Sequence, residues 1–361
     1  MDTNNISSRN LTSLLVVVIL CGSLVNGAFT IAQDTWIAVL LMGILFLPEI
    51  LIYSRICALF PGKNLYDIIY SIFGRTSRFI LTLLMTLYVT VVTGLQLRNF
   101  VEFTAVISLQ DTPRVVLMVL LLLPVLYLAK EGIQVMARWS FIVCAIIVLN
   151  IALTILLSLN IIEVSHILPV MDHSFLDIAS NSFTVGTITL GELVMMMAVM
   201  GHLNKGESPY KVYLWGVLVG ICLFALIILR NILILGPDME EAAKFSTYMA
   251  VRVIDIGKFF ERIESSISFI YVLLGITKMS LFMLASATGL SKIFKDMDYR
   301  KLLLPISVIV VGIGTVVFKN VFEMFELAWV YRYYALPFQL LIPIIIWIKA
   351  EIKKSYSMKN N

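Results

Sequence analysis

The 361 residues are 60% hydrophobic and only 14% charged, with a mean hydropathy of +0.96. That excludes a soluble domain, because one globular core cannot hide so much apolar surface. The net charge of +4 is spread thinly between apolar runs, so there is no basic face for nucleic acid.

Long unbroken apolar runs, not short alternating strands, predict an all-α integral membrane protein in the lipid bilayer. Ten runs reach or approach spanning length: 11–31, 36–58, 79–107, 113–129, 139–159, 183–203, 210–235, 263–290, 302–317 and 327–348. Pro113 and Pro305 suit first-turn positions, and Trp36, Trp139 and Trp347 sit near run ends, where interfacial aromatics belong. Ten spans place both termini on one side of the membrane. Of the 27 Lys and Arg, 17 fall on that side, seven on the other, and Arg98, Arg230 and Lys278 inside runs. By the positive-inside rule the termini are cytoplasmic. Arg9 and the apolar stretch 14–20 imitate a signal peptide, but Leu20 is large where a cleavage site needs a small residue, so the segment reads as the first span. Cys21, Cys57, Cys144 and Cys222 form no CxxC pair and read as packing residues.

The first run carries small and polar residues at its middle, Cys21-Gly22-Ser23-Leu24-Val25-Asn26-Gly27, which makes Gly22, Ser23 and Gly27 candidates for a helix break. In run two, Glu49 follows Pro48. In run three, Arg98 and Glu102 stand four apart on one helix face, and an internal ion pair is the simplest account. The loop 160–182 has no Lys or Arg but holds Glu163, Asp172, Asp177, His166 and His173. A metal site is conceivable there, yet two histidines seven apart are weak support, and no metal or other cofactor is expected.

Run six is interrupted by Gly186, Thr187, Thr189 and Gly191 and carries one carboxylate, Glu192. A charge at mid-membrane costs roughly 2.5 to 3.5 kcal/mol, so it faces a cavity or a partner. Two readings stand here. Either the helix is broken, so that backbone groups near Thr187, Leu190 and Gly191 hold a polar ligand, or the glycines only let a neighbouring helix approach. The segment 236–262 reads as a partly amphipathic helix on the outer surface, with Phe245, Met249, Val253 and Ile256 on one side. In run eight, Lys278 follows Thr277. It either pairs with Glu192 or Glu49 or acts as a fixed site cation, and the pairing is the simpler account.

Runs one and six lie five spans apart, and an odd number of spans per half forces the halves into opposite orientation. The expected fold is therefore one domain over 1–361 in a five-plus-five inverted repeat (11–159 and 183–348), with broken helices 1 and 6 and a substrate site between them. Half-helix N-termini there would receive a carboxylate, and freed carbonyls an ammonium, so an amino acid suits the site. No P-loop, HExxH or GxSxG pattern is present, so the chain does not read as an enzyme.

Several boundary motifs carry a family resemblance. They are Gln33-Asp34-Thr35-Trp36-Ile37 entering run two, Phe60-Pro61-Gly62-Lys63-Asn64-Leu65 after it, Leu126-Tyr127-Leu128-Ala129-Lys130-Glu131-Gly132-Ile133-Gln134-Val135-Met136-Ala137-Arg138 between runs four and five, and Phe260-Glu261-Arg262-Ile263-Glu264-Ser265 entering run eight. In this order and spacing the chain resembles the B subunits of spore germinant receptors (the GerAB and GerKB type), a branch of the amino acid, polyamine and organocation (APC) transporter superfamily with its LeuT-like fold. The resemblance implies a multi-pass sensor in the inner membrane of a bacterial spore, working with A and C subunits. It also implies that an amino acid or similar germinant binds at the broken helices and triggers germination. By position the pocket would use Gly22 and its neighbours, the segment from Thr187 to Glu192, and Thr277. The break in run one is Cys-Gly-Ser, where wider transporter patterns carry GxG. The rival expectations are a proton-coupled amino-acid permease, with Glu192 or Lys278 titrating, and a structural subunit that binds nothing.

Overall fold

The computed structural model describes residues 5–254 and 263–359, so Ile256 and the motif residues 260–262 lie outside the described residues. Apart from one isolated bridge between Ile6 and Leu203, the regular structure there is helical. The first span is helix α1 (Ser8–Cys21) continued by a 3-10 segment, Gly22–Ala28. The second is α2 (Thr35–Leu45) and α3 (Leu47–Leu59), joined at Phe46 just before Pro48. A short amphipathic helix, α4 (Leu65–Ile72), leads into α5 (Arg75–Ile107), α6 (Arg114–Glu131) and α7 (Ile133–Ser158). The sixth span is α8 (Phe175–Thr189) followed by the 3-10 segments Gly191–Ala198 and Met200–His202. Next come α9 (Pro209–Leu235), the short α10 (Pro237–Ala242) and α11 (Ser246–Arg252), then α12 (Glu264–Ile293), α13 (Tyr299–Val316), α14 (Val321–Leu336), a π-helical turn Pro337–Leu341, and α15 (Ile342–Lys359).

Eight helical stretches are long and apolar enough to cross a membrane. Two of the ten expected spans are not among them. Helix α6 has 18 residues, and these include Arg114, Lys130 and Glu131 at its ends, while the sixth span is divided by its helix break. The first span and α12 are the most deeply buried. Helix α1 packs against α7, α9 and α12, and α12 against α5. Small residues set these approaches: Gly216 and Gly220 of α9, four apart, lie against Leu15 and Ile19 of α1, where an added Cβ would come within 2.6 and 2.7 Å of those side chains. Lipid gives helices no hydrophobic reason to associate, so close van der Waals contact at such residues does the holding.

The first and last described residues sit at the same end of the bundle. Ser8 N donates to Glu207, Arg55 pairs with Glu351 at 2.6 Å, and Asn5, Pro61 and Lys205 line one surface pocket. At the other end, the buried Asp34 carboxylate accepts the backbone N–H groups of Met171 (2.7 Å) and His173 (2.9 Å) and faces His173 Nδ1 at 3.1 Å, which pins the loop before α8 to the start of span two.

Two expectations are corrected. Pro305 lies inside α13, because that helix starts earlier, at Tyr299 with Asp298 as its cap. The segment after α9 is two short helices that dip into the bundle, not one helix lying on the surface. Phe245 is 5% exposed and packs edge-on against Phe103, and Thr247 accepts from Asn26 and Asn231. Its polar side chains are drawn inward because Asn26 and Asn231 are buried and need partners. The histidines of the loop 160–182 serve separate partners, Glu163 beside His166 (3.2 Å) and Asp34 beside His173, and the described residues hold no cluster of three or more potential metal ligands.

Candidate functional site

The break in span six is a change of helix type, one step later than the glycines suggest. Helix α8 runs through Gly186 to Thr189, and the 3-10 winding starts at Gly191. Around this transition three carbonyls receive side-chain donors. Gln339 Nε2 donates to Thr187 O at 2.8 Å, Lys278 Nζ to Ile188 O at 3.3 Å, and Tyr53 OH approaches Gly191 O at 3.4 Å. Irregular backbone at membrane depth is tolerated where the protein itself satisfies it, and here it does so. The glycines have a second role, close approach. A Cβ on Gly22 would stand 1.9 Å from Thr189 Cγ2, one on Gly186 2.3 Å from Phe46, and one on Gly191 2.1 Å from Gln339 Oε1. The helix therefore both changes winding and admits close neighbours at this point.

Glu192, 2% exposed, and Lys278, fully buried, form an ion pair at 2.7 Å. The other carboxylate oxygen, Oε1, accepts from Tyr331 OH at 2.9 Å, while Gln96 Nε2 makes a longer contact of 3.4 Å with Oε2, the oxygen that faces Lys278. Tyr331 OH meets Tyr88 OH at 2.9 Å, and Tyr88 OH accepts from Gln339 Nε2 at 2.8 Å. The π-helical turn leaves the Gln339 carbonyl free for Tyr53 OH (2.5 Å), which also lies 3.3 Å from Glu49 Oε2. One buried polar network thus joins α12, span six, α14, α5 and α3. A pair desolvated this fully is stable only because its remaining lone pairs and protons are used.

The other candidates fall elsewhere. Glu49 meets Tyr53 and forms no ion pair among the described residues. Arg98 pairs with Glu102 at 2.6 Å and also reaches Lys319 O, while Arg114 approaches the same carboxylate at 3.5 Å. Thr277 turns away from Glu192: it accepts from Trp139 Nε1 at 2.9 Å, on the α7 side. Leu190 is fully buried as packing. Gly27 lies under Lys244 O and Phe325, toward the end of the bundle remote from the termini. Ser23 offers its carbonyl to Tyr271 OH at 3.2 Å and does not line the cavity beside Glu192. Sequence reasoning passed over Tyr331, Tyr88, Gln96, Gln339 and Tyr53. Their only signal was polarity inside apolar runs.

Between spans one, three, six and ten lies a cavity of about 30 Å³, lined by Val25, Gln96, Asn99, Glu192, Ala328 and Tyr331. That is room for about two waters.

A helical bundle whose first and sixth spans both change winding, with a charged pair beside the change, defines a transporter-type membrane fold. The solved structure of Mhp1, a nucleobase-cation-symport-1 family transporter in a closed conformation with bromovinylhydantoin bound, superposes with a TM-score of 0.65 over 94% of this chain and 77% of that one, at 12% identity. MhsT in complex with L-phenylalanine gives 0.64 over 95% and 98%, at 11% identity. The family described as spore germination protein matches residues 5–323, and the chain belongs to it, among the B subunits of germinant receptors. Spore germination protein KB of Bacillus subtilis (strain 168) is 25% identical over 100% of this chain and 98% of its own length. Putative spore germination protein YfkT of the same organism is 22% identical over 91% and 90%.

Proposed function

We propose that this multi-pass protein is the nutrient-sensing subunit of a spore germinant receptor, and that the nutrient is an amino acid or a similar small zwitterion. The observation that carries the reading is the Lys278–Glu192 pair at the span-six break, beside a cavity. A zwitterion can insert between the two: its ammonium takes Glu192 and its carboxylate takes Lys278, so no charge is left unpaired in a setting where an unpaired one costs several kcal/mol. Inserting it requires spans one and six to part, since about 30 Å³ does not hold an amino acid. That parting is the signal, a population shift toward an opened state. On this reading the halves 11–159 and 183–348 move against each other, the termini face the cytoplasm, the membrane is the spore's inner one, and A and C subunits receive the shift.

Dipicolinate release from wild-type and gene-deleted spores, exposed to a panel of amino acids and sugars, tests this. Selective loss of the response to one nutrient supports the receptor. In spores, Tyr331→Phe keeps the ring and removes one hydrogen bond to a charged group, worth about 1.5 to 3 kcal/mol. It should raise the half-effective nutrient concentration by roughly tenfold or more. An unchanged dose response in that variant sinks the site.

The buried Glu49 favours a second reading, a proton-coupled permease, because its carboxyl ends the network that begins at Lys278. Nutrient uptake that collapses with the proton gradient, together with unchanged germination, would select it.

A further inference from the structure

The loop between α7 and α8 is anchored on one face and bare on the other. Its inward residues Ile161 and Ile162 pack against Ile234, Leu235 and Ala250, and Glu163 N donates to Leu233 O at 3.0 Å. Further along, the Met171 and His173 N–H groups are held by the buried Asp34 carboxylate. The turn Val164–Ile167 also contacts Ala32–Asp34. Both arms of the loop thus converge on the start of span two.

Held there, the loop turns large apolar side chains outward. Val164, Leu168, Val170 and Met171, with Phe175 and Leu176 at the start of α8, are each 47–78% exposed. Single exposed apolar residues need no explanation, but a group of six on one short segment does. The hydrocarbon core does not account for them. With the span-six break at mid-membrane, Phe175 stands 17 residues before Glu192, about 25 Å of helix, whereas that core extends only about 15 Å from its midplane.

The rim of the patch is acidic. Glu163, Asp172 and Asp177 are exposed within it, as are Asp238 and Glu241 of α10, which packs on the same Ala32–Asp34 turn. Neither 160–182 nor 236–242 contains Lys or Arg, and Arg332, which reaches α8 from α14, is spent on the Ser180 and Thr184 hydroxyls. Segments that lie on anionic membranes carry Lys and Arg on their polar side, so the charge here has the wrong sign for lipid. A second copy of the chain would bring the same carboxylates to the contact and be repelled.

We propose that this apolar patch with its acidic rim is a docking surface for a different protein, whose contact face carries apolar side chains ringed by Lys and Arg. An apolar centre inside a polar rim is the anatomy of protein interfaces. The loop is fixed before the partner arrives, so docking costs little ordering entropy. The surface does not rest on the nutrient reading, because neither the Glu192 pair nor its cavity contributes to it.

The test places the photo-crosslinking residue p-benzoylphenylalanine at Leu168 of the full-length protein, in membranes of the source organism, and identifies each adduct by mass spectrometry. The same residue at Leu226, exposed in the middle of α9, gives the background. The expected result is an adduct between Leu168 and one other protein, absent at Leu226, joined through a segment of net positive charge. Asp172→Lys combined with Glu241→Lys should lower its yield about fivefold or more. If that double variant does not reach the membrane, salt decides: sodium chloride should lower the yield of the unreversed protein, because it screens charges at an exposed rim. Adducts with lipid or with a second copy, no adduct above background, or a yield that neither charge reversal nor salt diminishes overturns the proposal.

Discussion

Lys278 and Glu192 make each other tolerable, and their energetics follow from that. Removing one partner leaves a buried charge unpaired, so Lys278→Met or Glu192→Gln alone should destabilise the protein by about 3 to 5 kcal/mol. The double variant should cost clearly less than the two singles added together. A double-mutant cycle on chemical or thermal unfolding measures the coupling, and additivity would show that the pair is not formed. Outside the spans, Glu240 of α10 is 4% exposed, and burial pushes its carboxyl up to about 7, against a smaller opposing effect from its hydrogen bond to Ser246. A raised carboxyl means the folded state holds the proton more tightly than the unfolded one. Its stabilisation is therefore full below the ordinary carboxylate range and is lost as pH climbs through about 7. The swing is at most about 3 kcal/mol. Melting midpoints of Glu240→Gln and wild type between pH 5 and 8 check this: the wild type should lose stability over that window relative to the variant. At this scale the sequence was legible wherever a charge interrupted an apolar run, as at Glu192, Lys278, Arg98 and Glu102. It was silent on Tyr88, Tyr331 and Gln339, whose hydroxyls and amide meet only because spans three and ten converge, a contact that no local spacing encodes.

At the level of elements, spans one and six touch where both change winding, and Gly22 and Thr189 are the contact. Gly22→Ala should destabilise by about 1 to 3 kcal/mol through overpacking. Adding Thr189→Ser removes the methyl group that an alanine Cβ would strike 1.9 Å away and should recover most of the loss. Failure of that rescue, read from the unfolding midpoint of the purified double variant, would mean the two spans do not meet in this register. The breaks were visible as glycine and threonine placed within hydrophobic runs. Their position within the helix was not, because whether a glycine interrupts a helix or admits a neighbour is decided by the neighbour. Phe46 sits over Gly186 and leaves that turn of α8 intact. The α10–α11 segment was misread for a related reason. Its alternation of apolar and polar residues suits a membrane surface as well as a socket lined by Asn26 and Asn231.

For the molecule as a whole, the clustering of Lys and Arg predicts which end faces the cytoplasm. A single cysteine placed at Lys205 should react with a membrane-impermeant thiol reagent only in inside-out vesicles, and one at Asp172 only in right-side-out vesicles; the reverse pattern would invert the topology. The same whole-molecule view gives the small central cavity a quantitative meaning. If only one molecule in a hundred is open enough to admit a nutrient, the apparent dissociation constant is a hundred times the intrinsic one. Contacts of micromolar quality would then yield a threshold near 0.1 mM. Were the chain the proposed sensor, a dormant cell would gain from such an arrangement, since its alarm would be set by how firmly Gly22 and Thr189 hold the bundle shut as much as by how well the ligand is grasped. On that reading, loosening the seam by a single methyl group would make a spore wake to a meal too thin to sustain it.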